Sequence, residues 1–342
     1  MNSDGMEYSR LGPTGIRVSR ICLGTAFRSE PDEPVCIAAI HQAAELGCNF
    51  LDCANVYRDG LSEEIVGKAI RGRRDRFVVT TKVGAPTWEG VNSGGLSRKT
   101  ILRDAEASLR RLGTDYIDLY LCHFPDPASP LEETVRAMDD LVRSGKVLYP
   151  GCSNFPAWQL SEALAISDRG GLAPYVCNQV LYNLLDRRIE DELVPFCAHR
   201  PFAITVFAST AIGLLSGRFR YGQAPPPRTS WARGPYNYRA AMTRRTDRIV
   251  QALIEVGDNH GKTPTEVAMA WCLSRPQITS VIIGADTPER VAEDFGASGW
   301  RLAGDELERL NTLSAGMRMV VRKDAPEGYR EGEPWPDGYE EP

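Results

Sequence analysis

The sequence carries no excess of positive charge. Its 342 residues include 40 Lys and Arg against 45 Asp and Glu, a formal net charge of −5. A nucleic-acid partner or an anionic membrane surface needs a concentrated basic face, so neither is expected. The short arginine-rich stretches, Arg71 to Arg76 and Arg244-Arg245, read as solvated helix ends or loops. No apolar run approaches the ~20 residues that span a bilayer, and the N-terminus has no apolar signal core; the expectation is a cytoplasmic protein with no membrane partner. No CxxC pair occurs among the nine cysteines, which argues against a zinc or dithiol site, and no metal centre is expected. Cys22, Cys53, Cys122, Cys152, Cys177 and Cys272 lie in or beside apolar runs and read as buried free thiols of a reducing compartment.

What is present is a regular alternation. A hydrophobic fraction of 42% supplies a large core, and the length suits one barrel or two medium domains. Short β-rich runs at 20–24, 50–52, 77–82, 117–122, 147–153, 176–179, 202–208 and 278–284 are each followed by a helical pattern. The helix after the first strand ends at Gly47, a residue type common just past a helix end. The pattern after the fourth opens with Ser129, Pro130 and Glu132, read as a capping box with proline at the first helical position and a buried stripe of Leu131, Val135, Met138 and Val142. Thr263 with Glu266 makes another box, and Thr287 caps a helix running to about residue 297. Strand–helix alternation implies parallel strands joined by right-handed crossovers. Eight units predict an α/β fold closed as a single (β/α)8 TIM barrel over residues 6–315. A doubly wound open sheet is the alternative, and no GxGxxG follows the first strand to support it.

Three segments lie outside the repeat. Residues 6–19 carry turn signals at Gly12-Pro13 and Thr14-Gly15 and predict a hairpin. Residues 220–238 are rich in Pro, Gly and aromatics and predict a long loop after the seventh strand, where lids and substrate loops occur. The tail, residues 316–342, is dominated from Asp324 by Pro, Gly and Glu, and is read as extended or disordered.

Active sites of such barrels collect at the C-terminal strand ends, so ionisable residues there carry the functional signal. The second strand ends at Asp52, the third at Lys82 and the fourth at His123, and Tyr57 lies five residues past Asp52. Each alone has a bland explanation; neighbouring strands bring all four together. A buried lysine is costly unless paired, and Asp52 is the nearest partner. A lysine ammonium beside a phenol stabilises the phenolate, which suits Tyr57 to act as general acid toward a developing alkoxide. His123 can give the same oxygen a second hydrogen bond. None of these groups supplies hydride, so a cofactor must.

These residues carry a family resemblance. The stretch Phe50-Leu51-Asp52-Cys53-Ala54-Asn55-Val56-Tyr57 resembles the aldo-keto reductase motif with aspartate and tyrosine five apart, and Lys82 and His123 fall where that family's other catalytic residues belong. The likeness runs from about Met6 to Ala297 and is closest to the longer-chain branch, which includes sugar, pyridoxal and quinone-type reductases and potassium-channel β-subunits. It implies cofactor contacts from Gly24 and Thr25, from Ser153, Asn154 and Gln179 toward the nicotinamide carboxamide, and from Phe207 stacked on its ring. It implies further cofactor contacts from Ala208, Thr210 and Gly213, and from Arg218 toward the phosphates. Gly284, Asp286, Arg290, Glu293 and Asp294 stand at the implied adenosine end, where a helix N-terminus favours phosphate.

Departures from the pattern bear on the cofactor. Ala208-Ser209-Thr210 replaces the family's Ser-Pro-Leu, Gly284 follows the glycine-bearing branch, and Asp286 and Asp294 replace common serine and asparagine. Arg290 and Arg218 suit the 2′-phosphate of NADP, whereas Asp286 suits a free ribose hydroxyl, so NADP(H) is favoured and NAD(H) remains open. The substrate is read as a small-molecule carbonyl or sugar, in a pocket drawing on Phe27, Tyr57, Phe124, Pro125 and the 220–238 loop with Trp231, Tyr236 and Tyr238. A nicotinamide-binding regulatory subunit is a second reading. A Schiff-base aldolase using Lys82 is a third, opposed by Asp52, which keeps the lysine charged and non-nucleophilic. Nothing in the sequence speaks to oligomeric state.

Overall fold

A computed structural model describes residues 5–29, 32–234 and 236–319. An antiparallel hairpin, β1 (Tyr8–Arg10) and β2 (Arg17–Ser19), comes first. Eight parallel strands follow and close into a barrel: β3 (Ile21–Gly24), β4 (Phe50–Asp52), β5 (Val78–Val83), β6 (Ile117–Cys122), β7 (Val147–Ser153), β8 (Cys177–Leu181), β9 (Ala203–Phe207) and β10 (Ile278–Ile283), with β10 pairing back onto β3. The helices between and after them are α1 (Glu33–Glu45), α2 (Leu61–Ala69), α3 (Arg98–Leu112), α4 (Leu131–Arg143), α5 (Ala157–Gly170), α6 (Leu193–Ala198), α7 (Ser230–Arg233), α8 (Tyr238–Ala241), α9 (Arg244–His260), α10 (Pro264–Leu273), α11 (Pro288–Asp294) and α12 (Gly304–Leu313). This is the (β/α)8 TIM barrel that the alternation predicted, with the expected hairpin ahead of it.

The described residues fall into two compact units. The first, within residues 1–180, 192–207 and 276–299, holds the hairpin, the barrel strands, α1 to α6 and α11; the second, within residues 181–191, 208–275 and 300–342, holds α7 to α10 and α12. The expected extended tail from Asp324 lies outside the described residues.

In the first unit every position of β5, β6 and β10 is buried, as befits strands covered on both faces. The hairpin packs onto the barrel through Leu11 and Val18, which join Phe50, Val78, Leu119, Leu121, Val176 and Ala203 in one apolar cluster. Gly12 makes that approach possible: its φ is +54°, and a Cβ there would lie 2.6 Å from the Val176 carbonyl oxygen and 2.8 Å from the Ala203 nitrogen. Side chains set the helix starts, with Ser97 accepting from the Thr100 N–H and Thr287 from that of Arg290.

In the second unit the Thr263–Glu266 capping box forms as expected. In the first unit the box expected at Ser129 and Glu132 does not form. Pro130 occupies the cap position itself, which moves Glu132 one place too early to reach back, and the Ser129 hydroxyl donates to Asp126 at 2.7 Å instead. The buried face of α4 runs through Val135, Met138 and Leu141, while Leu131 and Val142 of the expected stripe are only half-buried. All nine cysteines are buried free thiols. Among the described residues no helix is long and apolar enough to cross a membrane.

Candidate active site at the strand ends

Strand β4 delivers Asp52 at its last residue, β5 delivers Lys82 one residue before its end, and His123 directly follows β6. The His123 N–H continues the ladder by donating to the Val83 carbonyl at 2.8 Å. Tyr57 opens a tight 3-10 turn (Tyr57–Gly60) between β4 and α2, entered through a bond from the Tyr57 N–H to the Ala54 carbonyl at 3.1 Å. Two consecutive non-glycine residues of this turn, Arg58 and Asp59, take left-handed conformations, with φ of 51° and 56°. Such conformations cost on the order of 1–3 kcal/mol each and persist only where the surroundings hold them.

Lys82 is the centre of the site. It is fully buried, and its Nζ donates to Asp52 Oδ2 at 2.8 Å, to the Cys53 carbonyl at 2.8 Å and to the Tyr57 hydroxyl at 3.3 Å. Its ammonium also lies 4.8 Å from the Tyr57 ring centroid. Burial pulls the lysine pKa down, but the Asp52 carboxylate and the Tyr57 oxygen outweigh it and hold the group well above the ordinary lysine value. His123 is affected in the opposite sense. Burial, reinforced by the nearby Lys82 charge, pushes its imidazole down to about 3, so the ring is neutral through the physiological range. Its Nδ1 is buried with no partner among the described residues. A neutral ring has one N–H, and with that proton on Nε2 it donates away from the buried Nδ1 edge. The His123 ring stacks on Phe124 at 4.4 Å and meets the Tyr57 ring edge-on at 6.0 Å.

A second group abuts the first. Gln179 donates its amide to Asp52 Oδ1 at 2.8 Å, so both carboxylate oxygens are engaged. Ser153 donates to the Gln179 carbonyl at 2.8 Å, and Asn154, with φ of 61°, donates to Ser153 Oγ at 3.0 Å and to the His123 carbonyl at 3.1 Å. The three residues expected at the nicotinamide end therefore stand together against the tetrad. No local sequence pattern joins Gln179 to Asp52, 127 residues away, and only the barrel's closure brings these two together. Thr25 is buried, and its hydroxyl is spent on the Asp52 carbonyl at 3.0 Å and on Ser62. Gly24 lies where a Cβ would sit 3.0 Å from Ile282 Cγ2. Phe207 is half-buried against the apolar cluster.

At the implied adenosine end, Gly284 faces open space, Arg290 and Glu293 are exposed, and Asp294 is buried. Asp286 accepts both the backbone N–H and the hydroxyl of Ser29. Of the expected substrate residues in this unit, Phe27 is buried in a left-handed conformation with φ of 43°, whereas Phe124 is half exposed.

The remaining expected residues belong to the second unit. Ala208, Ala211, Ile212 and Gly213 all have positive φ, and the Thr210 carbonyl accepts from Gly213 and Leu215, giving two interlocked turns. Arg218 is exposed. Within the 220–238 segment α7 forms and α8 begins at Tyr238; Trp231 is 3% exposed, its indole donates to the Ile212 carbonyl at 3.0 Å, and its ring lies 5.1 Å from that of Tyr236.

A closed (β/α)8 barrel carrying Asp, Tyr, Lys and His at these strand ends defines a class, and the chain belongs to it: the model of the aldo/keto reductase family matches residues 20–315. Among curated relatives, the chain is 36% identical to a probable voltage-gated potassium channel subunit beta of Arabidopsis thaliana, covering 85% of this chain and 91% of that protein. It is also 36% identical to the uncharacterized oxidoreductase YrpG of Bacillus subtilis (strain 168), covering 91% of this chain and 97% of that protein. A putative voltage-gated potassium channel subunit beta of Schizosaccharomyces pombe (strain 972 / ATCC 24843) is 34% identical, with 85% of this chain and 88% of that protein covered.

Proposed function

We propose that the chain is a nicotinamide-dependent carbonyl reductase or alcohol dehydrogenase in which Tyr57 is the general acid and base. The observation that carries this reading is the Lys82 ammonium, fixed between Asp52 and the Cys53 carbonyl and pointing its remaining donor at the Tyr57 hydroxyl. A fixed positive charge there favours the phenolate that forms when Tyr57 gives its proton to a carbonyl oxygen gaining negative charge. His123, neutral with its proton on Nε2, gives the same oxygen a second hydrogen bond. A bound reduced nicotinamide supplies the hydride.

The residues around the tetrad fit such a cofactor. Asn154 and Gln179 keep their amide oxygens uncommitted among the described residues, next to the tetrad, and a carboxamide N–H needs such acceptors. Gly284 leaves open space at the implied adenosine end. NADP(H) is favoured over NAD(H) because Arg290 is exposed there and because Ser29 already engages the Asp286 carboxylate, which offsets part of its repulsion of a 2′-phosphate. The substrate in this reading is a small aldehyde, ketone or sugar. The names of the channel-subunit relatives support a second reading, a nicotinamide-binding regulatory subunit with slow turnover.

Fluorescence titration with NADPH and NADH, followed by a turnover screen over aldehydes, ketones and sugars, tests both. Tight NADPH binding with turnover on at least one carbonyl class supports the enzyme. Tight binding with uniformly slow turnover favours the regulatory subunit, and failure to bind either nucleotide contradicts both.

A further inference from the structure

The Tyr57 turn is held from outside by one face of a neighbouring helix. Asp104, Ser108 and Arg111 recur at i, i+4 and i+7 on α3, one stripe of a helix surface. At one end of the stripe, Asp104, 3% exposed, accepts from the Asn55 amide at 3.3 Å through Oδ2 and from Arg103 Nε at 2.7 Å through Oδ1. At the other end, Arg111 lies directly on Gly60: a Cβ at Gly60 would be 2.7 Å from Arg111 Cδ and 2.9 Å from its Nε. Arg111 is itself fixed by Glu63, a fully buried carboxylate of α2, at 2.6 Å, and by Ser108 Oγ at 3.4 Å. The second oxygen of Glu63 accepts from Thr81 Oγ1 at 2.5 Å, and Thr81 is the residue before Lys82.

Asn55 and Gly60 thus bracket Tyr57 with only four residues between them, and the two left-handed residues, Arg58 and Asp59, sit inside the bracket. We infer that Asp104 and Arg111 of α3 are positioning residues that hold the Tyr57 hydroxyl within hydrogen-bonding distance of Lys82, while Glu63 ties the same brace to the strand that carries Lys82. The inference rests on the catalytic reading of Tyr57 for its effect on turnover, but its geometric content stands independently of that reading.

The test compares Asp104→Asn, Arg111→Lys and the double variant Glu63→Gln/Arg111→Met with the wild type and Tyr57→Phe. The double variant removes both members of the pair, so the buried Glu63 carboxylate is not left as a lone charge to unfold the chain. The expected result is a tenfold or greater fall in kcat for the double variant and a smaller fall for Asp104→Asn. KM and NADPH affinity should stay within twofold, and Arg111→Lys should keep most of the wild-type kcat. Crystal structures of the variants give the second readout: the Tyr57 Oη to Lys82 Nζ separation should lengthen beyond hydrogen-bonding range. A folded double variant with Tyr57 unmoved would overturn the inference, as would a fall in kcat accompanied by a rise in KM and a loss of NADPH affinity. If the wild type turned over no carbonyl, or Tyr57→Phe matched it, the catalytic reading would fall while the Tyr57 to Lys82 distance still decided the brace.

Discussion

Gln179 donates its side-chain amide to Asp52 Oδ1 at 2.8 Å, on the carboxylate oxygen that Lys82 does not take. Strands β4 and β8 are not neighbours in the barrel, so this bond crosses its mouth and joins the residues expected at the nicotinamide to the ion pair. Replacing Gln179 by Leu leaves a buried carboxylate oxygen without its donor, a loss of roughly 1–3 kcal/mol. Urea unfolding at neutral pH should show a midpoint lowered by a corresponding amount with an unchanged slope.

Asp52 and Lys82 are both buried and paired at 2.8 Å, so joint removal should cost less than single removal. Lys82→Met strands the carboxylate and should cost about 3–5 kcal/mol, whereas Asp52→Asn with Lys82→Met should recover most of that loss. Denaturant melts of the single and double variants check this. Equal destabilisation by both would show that the pair's burial is not the source of the cost.

The depressed His123 pKa predicts an acid sensitivity with a defined sign. The folded state keeps the ring neutral down to about 3, whereas the unfolded chain takes up a proton near the ordinary histidine value of 6.5. Between these values the unfolded state binds more protons, so this residue makes stability rise with pH, by up to about 1.4 kcal/mol per pH unit. The contribution levels off above pH 6.5. In His123→Gln, unfolding free energies measured from pH 4 to 7 should climb less steeply than in the wild type.

Gly67 of α2 is required by a close approach to α3. A Cβ there would lie 2.3 Å from the Leu112 carbonyl oxygen, a backbone atom that cannot step aside. Gly67→Ala should therefore destabilise by about 1–3 kcal/mol despite alanine's better helix propensity. A raised melting temperature would show that α2 and α3 separate easily, and would weaken the case for α3 as a brace.

The sequence made the barrel legible because parallel strands buried on both faces read as short apolar runs, and β4, β6 and β7 fall on the expected residues. The Lys82–Asp52 pairing was legible too, since both lie at the ends of adjacent strands. What stayed hidden depends on contacts far apart in the chain. Gln179 is 127 residues from Asp52, and Arg111 is 48 from Glu63, with no local pattern joining either pair. The α4 start went wrong for a local reason: Pro130 is compatible with the cap position as well as the first helical one, and a one-residue shift removes Glu132 from the box. The aromatics of the 220–238 segment read as a lid because composition alone does not show that Trp231 spends its indole N–H on the Ile212 carbonyl.

The central claim is that Tyr57, held by Lys82, moves the proton. The most direct measurement is the rate of cofactor oxidation by a carbonyl substrate in a single turnover, compared between the wild type and Tyr57→Phe with NADPH saturating. Loss of a positioned general acid should slow this step by about 10²–10⁴-fold while leaving the NADPH dissociation constant unchanged. A Tyr57→Phe protein that oxidises NADPH at a rate near that of the wild type would contradict the account.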